Sequence, residues 1–243
     1  MTRLFTTVWT YLRQRNLREI ALLLLVSLML LAFAKLASEV VEGDTAAFDT
    51  AVLDALKDPA GQRPRIGPAW VEAAIRDLTS LGSVTVVSLV ATAVLGFLLA
   101  TRKSGTALLV LVAVTGGGLL NALLKSYFQR ERPGILAHGV DVSTSSFPSG
   151  HAMLAATIYL TLGALLATVQ TSPRVRTYCV SVAVTLTLLV GLSRVYLGVH
   201  WPTDVLAGWC VGSAWAILCL VVATRLGRNG SAAGYGMHSR LNP

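Results

Sequence analysis

Six long apolar runs constrain the fold of this chain more than any other feature of its sequence. A helix needs about 20 residues to cross about 30 Å of hydrocarbon, and each run is that long or nearly so. Charged residues make up only 13% of the chain, against about 25% in a soluble domain. The sequence therefore predicts an all-α polytopic membrane protein, with a single domain over residues 1–243 that is one bundle of six transmembrane helices. The predicted helices span residues 20–37, 78–101, 104–124, 152–173, 177–193 and 205–224.

The two ends of the chain are expected to flank this bundle. The first apolar run follows a basic segment, as in a signal peptide, but Lys35 and Glu39 come after it instead of a small-x-small cleavage site. We therefore favour a retained helix over a cleaved signal peptide. The residues after Gly227 are polar and contain glycine, so we predict a disordered tail over residues 228–243.

Residues 39–77, between the first and second predicted helices, are too many for a simple connection. Residues 47–56 and 70–78 within this segment carry apolar side chains at helical spacing, with acidic residues between them. We expect amphipathic helices that lie on the outer face of the membrane. An ordered cap loop is the alternative.

The net charge of +8 predicts topology and not nucleic-acid binding. The cations are not gathered in a basic patch with interleaved aromatic residues, and most lie in short segments between apolar runs. Six helices put both termini on one side, and the segments on that side are rich in arginine and lysine. The positive-inside rule then predicts cytoplasmic termini, in what we expect to be a bacterial inner membrane. The three polar motifs described next would all lie on the opposite, extracytoplasmic face.

Small and sulfur-containing residues inside the apolar runs are expected to serve packing. Cys179, Cys210 and Cys219 have no spacing typical of metal ligands, which indicates buried structural thiols. The spacing of Gly208 and Gly212 allows close helix contact, which we expect within the bundle and not in a dimer.

The first motif to consider is Pro148-Ser149-Gly150-His151, which opens the fourth helix after a loop rich in serine and threonine. Ser149 suits the N-cap position, and Gly150 allows a tight turn. Free N–H groups and the positive end of the helix dipole form an anion site there. His151 would stand at the edge of that anion. An ordinary helix cap is the alternative.

A second motif, His200…Asp204, opens the sixth helix, with Pro202 at the first helical position. Asp204 can hold one imidazole nitrogen of His200, which leaves the other facing the site with a free lone pair. A neutral, oriented histidine is a nucleophile or a base. The alternatives are a surface pair or a metal site that adds His151 and Asp141. We disfavour the metal because nearby cations fit an anionic ligand better.

Those cations form the remaining motifs at the ends of two predicted helices. Lys125 ends the third helix, Arg132-Pro133 follows at a spacing of seven, and Arg194 ends the fifth. Arginine binds phosphate oxygens in bidentate fashion, whereas lysine acts as a point charge. Each cation alone is typical of a helix flank. Together on one face with two histidines, they indicate a phosphate site.

The three motifs together resemble the signature of the type 2 phosphatidic acid phosphatase (PAP2) family, Lys-x6-Arg-Pro, Pro-Ser-Gly-His and Ser-Arg-x5-His-x3-Asp. The resemblance is to the integral-membrane branch, since the soluble branches lack this hydropathy. In this sequence the matching residues are Lys125, Arg132 and Pro133, then Pro148, Ser149, Gly150 and His151, and then Ser193, Arg194, His200 and Asp204.

The resemblance implies a role for each of these residues. His200 would attack phosphorus and form a phosphohistidine, and Asp204 would orient His200. His151 would protonate the leaving oxygen and then activate water. The remaining polar groups would bind the phosphoryl oxygens in place of a metal, so that no metal or other cofactor is expected. These phosphate-binding residues would be Lys125, Arg132, Ser149, Gly150 and Arg194.

The resemblance also implies a substrate class, which is a phosphomonoester or diphosphate of a membrane lipid. Phosphatidic acid, phosphatidylglycerol phosphate and undecaprenyl diphosphate are the candidates, and each could enter the site sideways from the bilayer. A lipid phosphotransferase that uses the same phosphohistidine is one alternative. A lipid-phosphate binder or transporter without enzymatic activity is the other. The sequence leaves the physiological lipid and the oligomeric state open.

Overall fold

The protein is helical throughout the part of the chain that the structure describes. A computed structural model describes the backbone of residues 2–59, 66–133 and 145–238, and the side chains of those residues except 2–16, 18 and 227–238. These ranges contain eight helices and no strand. The helices are α1 (Thr2–Glu42), α2 (Ala46–Ala55), α3 (Ala69–Ser80), α4 (Val84–Ala100), α5 (Ser104–Phe128), α6 (Gly150–Thr168), α7 (Pro173–Tyr196) and α8 (Pro202–His238).

Five stretches of helix are long and apolar enough to cross a membrane, and a bent pair makes a sixth candidate. Taken together, α3 and α4 are also long and apolar enough to cross a membrane, with a bend of 48° between them. The prediction of an all-α polytopic membrane protein is confirmed, and the chain is an integral membrane protein. The five single spans are Glu19–Glu42, Ser104–Phe128, Gly150–Thr168, Pro173–Tyr196 and Pro202–Leu226.

The predicted second span, residues 78–101, is interrupted where α3 ends and α4 begins. Ser83 is the N-cap of α4, and its hydroxyl accepts a hydrogen bond from a backbone N–H in the first turn at 3.2 Å. Gly82 approaches α6 and α7 so closely that a Cβ there would overlap Val190 and stand 3.0 Å from the carbonyl oxygen of His151. The serine cap therefore restarts the helix in a new direction, and the glycine lets the break pack against its neighbours.

The turn between α6 and α7 lies earlier than predicted. α6 ends at Thr168, although the sequence predicts a helix over residues 152–173. Pro173 is instead the first residue of α7, where its missing N–H costs nothing. α7 therefore runs for 24 residues to Tyr196 and includes the whole of the predicted span 177–193.

The tail predicted from residue 228 overlaps the end of α8, which continues as far as His238. Extending an existing helix costs little, and the sequence has no proline between Pro202 and Pro243 to stop it. Residues 239–243 lie outside the described part of the chain.

The segment between α1 and α4 contains two helices, α2 and α3, as the sequence predicts for residues 47–56 and 70–78. α2 packs against the start of α8, since Leu53 is buried in one cluster with Val205. α3 contacts α7. The two helices therefore lie against the elements that carry the polar motifs.

The centre of the bundle is formed by α6 and α8. In the most apolar part of α6 50% of the residues are buried and in that of α8 56%, against 11% in that of α1. A Cβ at Gly208 would stand 2.7 Å from the carbonyl oxygen of Ser149, and one at Gly212 would overlap that of Met153. The prediction that this glycine spacing serves packing within the bundle is confirmed. The close approach also joins the first turns of α6 and α8, where two of the motifs lie.

Candidate active site

The three motifs meet where α5 and α7 end and where α6 and α8 begin. The backbone N–H of Ser149 donates to the carbonyl oxygen of Asp204 at 2.9 Å, which joins the starts of α6 and α8. The N–H of Ser146 donates to the carbonyl oxygen of Arg130, also at 2.9 Å, which joins the loop after α5 to the loop before α6. Backbone hydrogen bonds thus bring together segments that are far apart in the sequence.

His200 lies in the short loop before α8 and is held by Asp204 on one side and Arg132 on the other. Nδ1 of His200 is 3.3 Å from Oδ2 of Asp204, and Nη1 of Arg132 is 3.2 Å from Nε2 of His200. A guanidinium has only donors, so Nε2 must be the acceptor and Nδ1 must carry the proton. His200 is therefore neutral, with its Nε2 lone pair directed toward the cations.

The surroundings of His200 keep it in that form. Its side chain is buried, and burial lowers the pKa of His200 to about 4, although the hydrogen bond and the charge of Asp204 act in the opposite direction. Oδ2 of Asp204 also accepts a hydrogen bond from the N–H of Trp201 at 2.9 Å. At neutral pH the imidazole thus keeps its lone pair.

Arg132 is held by the backbone of two loops. Its Nη1 donates to the carbonyl oxygen of Val199 at 2.8 Å, and its Nη2 lies 3.4 Å from that of Ser145. Burial lowers the pKa of Arg132, and the charge of Asp204 opposes this shift. An arginine keeps its charge at neutral pH even so.

Two further cations, Lys125 and Arg194, come from the last turns of α5 and α7. Lys125 Nζ donates to the carbonyl oxygen of Ser145 at 2.7 Å, and Arg194 Nη1 donates to Oγ1 of Thr79 at 3.1 Å. Arg194 is only 8% exposed, and its Nε has no partner among the described residues. Both side chains therefore keep donors for an anion that enters between them.

His151 lies in the first turn of α6, within electrostatic range of the other charged groups of the site. Its interacting neighbours are Arg194, His200, Lys125 and Arg132. The sequence-predicted histidines and cations therefore come together in one place.

Ser149 precedes α6 at the N-cap position, but its hydroxyl makes no capping hydrogen bond. Ser149 therefore occupies the predicted N-cap position without making the ordinary side-chain cap that was the alternative. Ser149 Oγ is buried and lacks a partner among the described residues. The N–H groups of residues 150–152 have no helical acceptor, as at every helix start. A buried hydroxyl without a partner is costly, which favours an external acceptor at this point.

Four polar residues near the site lie outside the predicted set. Arg130 forms ion pairs with Asp49 of α2 and with Asp204, each at 2.7 Å, and it donates to the hydroxyl of Thr203. Asn121 of α5 lies one turn before Lys125, and a Cβ at Gly150 would stand 3.1 Å from its Nδ2. The i,i+4 spacing from Lys125 could have identified Asn121. Nothing in the sequence pairs Arg130 with Asp49.

The metal alternative involved His151, His200, Asp204 and Asp141. Asp141 lies outside the described residues, and within the described ranges no three His, Cys, Asp or Glu side chains group together as metal ligands would.

A family model, that of the PAP2 superfamily, matches residues 106–228. This range is just over half of the chain and includes all three motifs. It also includes the ends of α5 and α7 and the starts of α6 and α8, which form the site.

Similar proteins carry phosphatase names. Phosphatidylglycerophosphatase B of Bacillus subtilis is 41% identical over 114 residues, which are 46% of this chain and 55% of that protein. An undecaprenyl-diphosphatase of Sulfolobus acidocaldarius is 44% identical over 68 residues, 28% of this chain and 29% of that protein. The chain thus matches about half or less of the length of these curated relatives.

A solved structure extends the likeness beyond the motifs. The crystal structure of a transmembrane PAP2 type phosphatidylglycerolphosphate phosphatase from Bacillus subtilis matches with a TM-score of 0.74 and 28% identity, over 82% of this chain and 96% of that one. The shared fold and the family match over half of the sequence lead to one conclusion: this chain belongs to the PAP2 superfamily.

Proposed function

We propose that this protein hydrolyses a phosphomonoester or diphosphate of a membrane lipid through a phosphohistidine on His200. The observation that carries the proposal is the Nε2 lone pair of His200, which faces Arg132 while Asp204 holds the opposite ring nitrogen. A neutral imidazole fixed in this way beside several cations is equipped to attack an anionic phosphoryl group. The names of the relatives support the same activity.

In the first step, Nε2 of His200 attacks phosphorus and the bond from phosphorus to the lipid oxygen breaks. His151 gives its proton to that oxygen, so the lipid leaves as a neutral alcohol or a protonated phosphate. The phosphorylated imidazole carries a positive charge, which the carboxylate of Asp204 stabilises at Nδ1. His151 takes up its proton as the substrate binds, because the phosphate charge offsets the surrounding cations.

In the second step, His151 accepts a proton from a water molecule whose oxygen attacks the phosphohistidine. The bond from phosphorus to nitrogen breaks, its electron pair returns to Nε2 of His200, and inorganic phosphate leaves. The same two histidines thus serve both steps, with His151 acting first as an acid and then as a base.

The cations and the start of α6 bind the phosphoryl oxygens during both steps. Arg194 and Lys125 have donors left over from their protein contacts. The hydroxyl of Ser149 and the N–H of Gly150 complete the set at the helix start. Donors arranged before the reaction stabilise the charge that develops in the transition state.

The substrate enters from the extracytoplasmic leaflet in this proposal. The last turns of α5 and α7 lie at the end of the bundle opposite to the basic turn between α4 and α5, which the positive-inside rule assigns to the cytoplasm. Phosphatidic acid, phosphatidylglycerol phosphate and undecaprenyl diphosphate present their phosphates at this depth.

The test is phosphate release by detergent-purified protein from each of these three lipids, with a His200→Ala variant beside it. We expect release by the wild type and a loss of about 10²–10⁴-fold in the variant. Equal release by a folded His200→Ala variant would refute the assignment. If phosphate appears only on an added acceptor lipid, the protein is a phosphotransferase.

A second variant, His151→Ala, separates the two steps. A diphosphate has a good leaving group, so this variant should still form the phosphohistidine from undecaprenyl diphosphate but hydrolyse it slowly. Phosphatidic acid has a poor alkoxide leaving group and should not react even once. We expect the variant to trap acid-labile labelled phosphate from the diphosphate alone. If neither lipid leaves labelled phosphate on the variant, the acid and base roles of His151 are contradicted.

A further inference from the structure

A network of buried ions links α2 to the aspartate that holds His200. Arg130 Nη1 is 2.7 Å from Oδ1 of Asp204, and Arg130 Nη2 is 2.7 Å from Oδ2 of Asp49. Both carboxylates are fully buried, and the arginine side chain is 16% exposed. Arg130 therefore bridges two carboxylates that come from different helices.

Asp49 is fixed on its other side by Thr203. Oδ1 of Asp49 accepts the backbone N–H of Thr203 at 3.0 Å, and Oδ2 accepts its hydroxyl at 2.6 Å. The same hydroxyl accepts a hydrogen bond from Nη1 of Arg130 at 2.8 Å. Thr203 directly precedes Asp204 in the first turn of α8. Asp49 and Arg130 therefore contact the same turn that carries Asp204.

The two oxygens of Asp204 have separate partners. Oδ1 faces Arg130, whereas Oδ2 accepts from Nδ1 of His200 and from the N–H of Trp201. A carboxylate held through one oxygen only could rotate about its Cβ–Cγ bond. With Arg130 on the other oxygen, the plane of the Asp204 carboxylate is fixed relative to His200.

We infer that Asp49 and Arg130 are positioning residues for the reaction, which hold the carboxylate of Asp204 so that it fixes the tautomer and the direction of His200. Neither residue contacts the Nε2 side of the imidazole, where the phosphate would bind. The inference rests on the proposed function and extends it to α2, the helix whose role the sequence did not reveal.

Charge also favours this role. A buried Asp49 without Arg130 would be an unpaired carboxylate in the protein interior, which is costly. Arg130 lies 5.5 Å from the ring centroid of Trp201, which adds a contact that keeps the guanidinium in place. Thr203, Asp204 and Trp201 thus hold the pair of Asp49 and Arg130, as a precise orienting group requires.

The experiment compares the kinetics of Arg130→Met, Arg130→Lys and Asp49→Asn with those of the wild type on a short-chain phosphatidic acid. We expect kcat to fall by about 10- to 100-fold in Arg130→Met, as when a group that orients a metal-binding histidine through a hydrogen bond is removed. KM should change little, because the substrate does not touch these residues. Arg130→Lys should retain only part of the activity. The lysine keeps the positive charge, but its single ammonium does not bridge both carboxylates as the guanidinium does.

The double variant Asp49→Asn/Arg130→Met tests whether Asp49 and Arg130 act on Asp204 together or independently. Because Arg130 bridges Asp49 and Asp204, adding the asparagine to Arg130→Met should lower kcat by less than the two single losses combined. Arg76→Met is the matched control, since Arg76 forms an exposed ion pair with Glu72 on α3, away from Asp204. The control should keep the wild-type kcat.

The NMR signal of the Nδ1–H proton of His200 tests the inference independently of activity. In protein labelled with ¹⁵N-histidine, the Nδ1–H proton of His200, assigned with a His200→Ala sample, should be visible in the wild type and lost or shifted upfield in Arg130→Met and Asp49→Asn. Wild-type protein without phosphatase activity would refute the proposed function, and this signal would still decide the inference.

Three results would overturn the inference. One is an unchanged Nδ1–H signal together with unchanged kcat in folded variants. Another is an effect on KM alone, which would make Arg130 a substrate-binding residue. The third is an additive loss in the double variant. If Arg130→Met does not fold, the near-isosteric Asp49→Asn and the charge-preserving Arg130→Lys decide the same question.

Discussion

In the proposed mechanism His200 has to keep a free lone pair on its ring, and both its burial and the cations around it keep the ring neutral. Arg132 and Arg194 disfavour a proton on the ring, as burial does, while Asp204 favours one. The balance lies on the neutral side. In the proposed mechanism His200 is therefore ready to attack before the substrate arrives, and it needs no separate base to activate it.

The protonation of His200 gives a first prediction. In the folded protein the pKa of about 4 lies below the value of about 6.5 for an unfolded chain. As the pH falls, the unfolded state binds this proton first, so His200 lowers the stability of the fold as the pH drops from about 6.5 toward 4. In an NMR titration, His200 should remain neutral at pH 5. A midpoint near 6.5 would contradict the burial argument.

Ser149→Ala should separate stability from activity. The serine hydroxyl makes no cap and has no partner among the described residues, so its removal relieves a cost of about 1–3 kcal/mol. We expect an unchanged or higher melting temperature together with slower phosphate release. If the hydroxyl were a conventional cap, alanine would instead cost about 1 kcal/mol. A lower melting temperature would therefore contradict the structure at this position.

The pair of His200 and Asp204 could be predicted because both residues lie within one turn of the chain. Lys125 and Arg194 could be recognised because each ends an apolar run, and Arg132 because it follows Lys125 at a spacing of seven. The partner of Arg130 could not be predicted, since Asp49 lies 81 positions away on a short helix without a motif. Long-range ion pairs leave no periodic signal in a single sequence.

At the scale of helices, glycines determine how closely the elements pack. Three consecutive glycines in α5, Gly116 to Gly118, have different surroundings. A Cβ at Gly116 would overlap the ring of Trp215 on α8, whereas a Cβ at Gly118 would have no heavy atom within 4 Å. The triplet therefore contains a matched pair for an experiment.

Gly116→Ala should destabilise the protein by about 1–3 kcal/mol, because the added methyl forces the tryptophan out of its place. Gly118→Ala should be neutral or more stable by about 0.5–1 kcal/mol, since alanine suits a helix better than glycine. Thermal unfolding in the same detergent measures both. Equal melting temperatures for the two variants would show that α5 and α8 do not pack as described.

Helices were easier to predict than their ends. The apolar run over residues 78–101 continues through Gly82 and Ser83, so hydropathy alone does not detect the break between α3 and α4. The break depends on a local cap and on the close approach to Val190, a contact that the sequence does not display.

For the whole molecule, the arrangement of helices fixes which ends lie together. α5 has 25 residues and so spans about 37 Å, which puts Lys103 and Glu131 at opposite ends of it. The number of spans could be predicted from the apolar runs. Successive spans run in opposite directions, so the segments that carry the three motifs come to the same end of the bundle.

Single cysteines at positions 103 and 131 test the orientation. In a background without the three native cysteines, Glu131→Cys should react with a membrane-impermeant maleimide on intact bacterial cells. Lys103→Cys should react only after the membrane is opened, because the positive-inside rule puts this turn in the cytoplasm. The reverse pattern would mean that the site faces the cytoplasm.

The first turn of α6 is enclosed on three sides by close contacts that involve glycines. Gly82 meets it from the break between α3 and α4, Gly208 meets it from α8, and its own Gly150 faces Asn121 of α5. A larger side chain at Gly82 or Gly208 would press on the backbone of Ser149 or His151, at the start of α6. Under the proposed function, we therefore expect a change of lipid preference, by evolution or by design, to arise on the outward surfaces of α2 and α3 and not at these glycines.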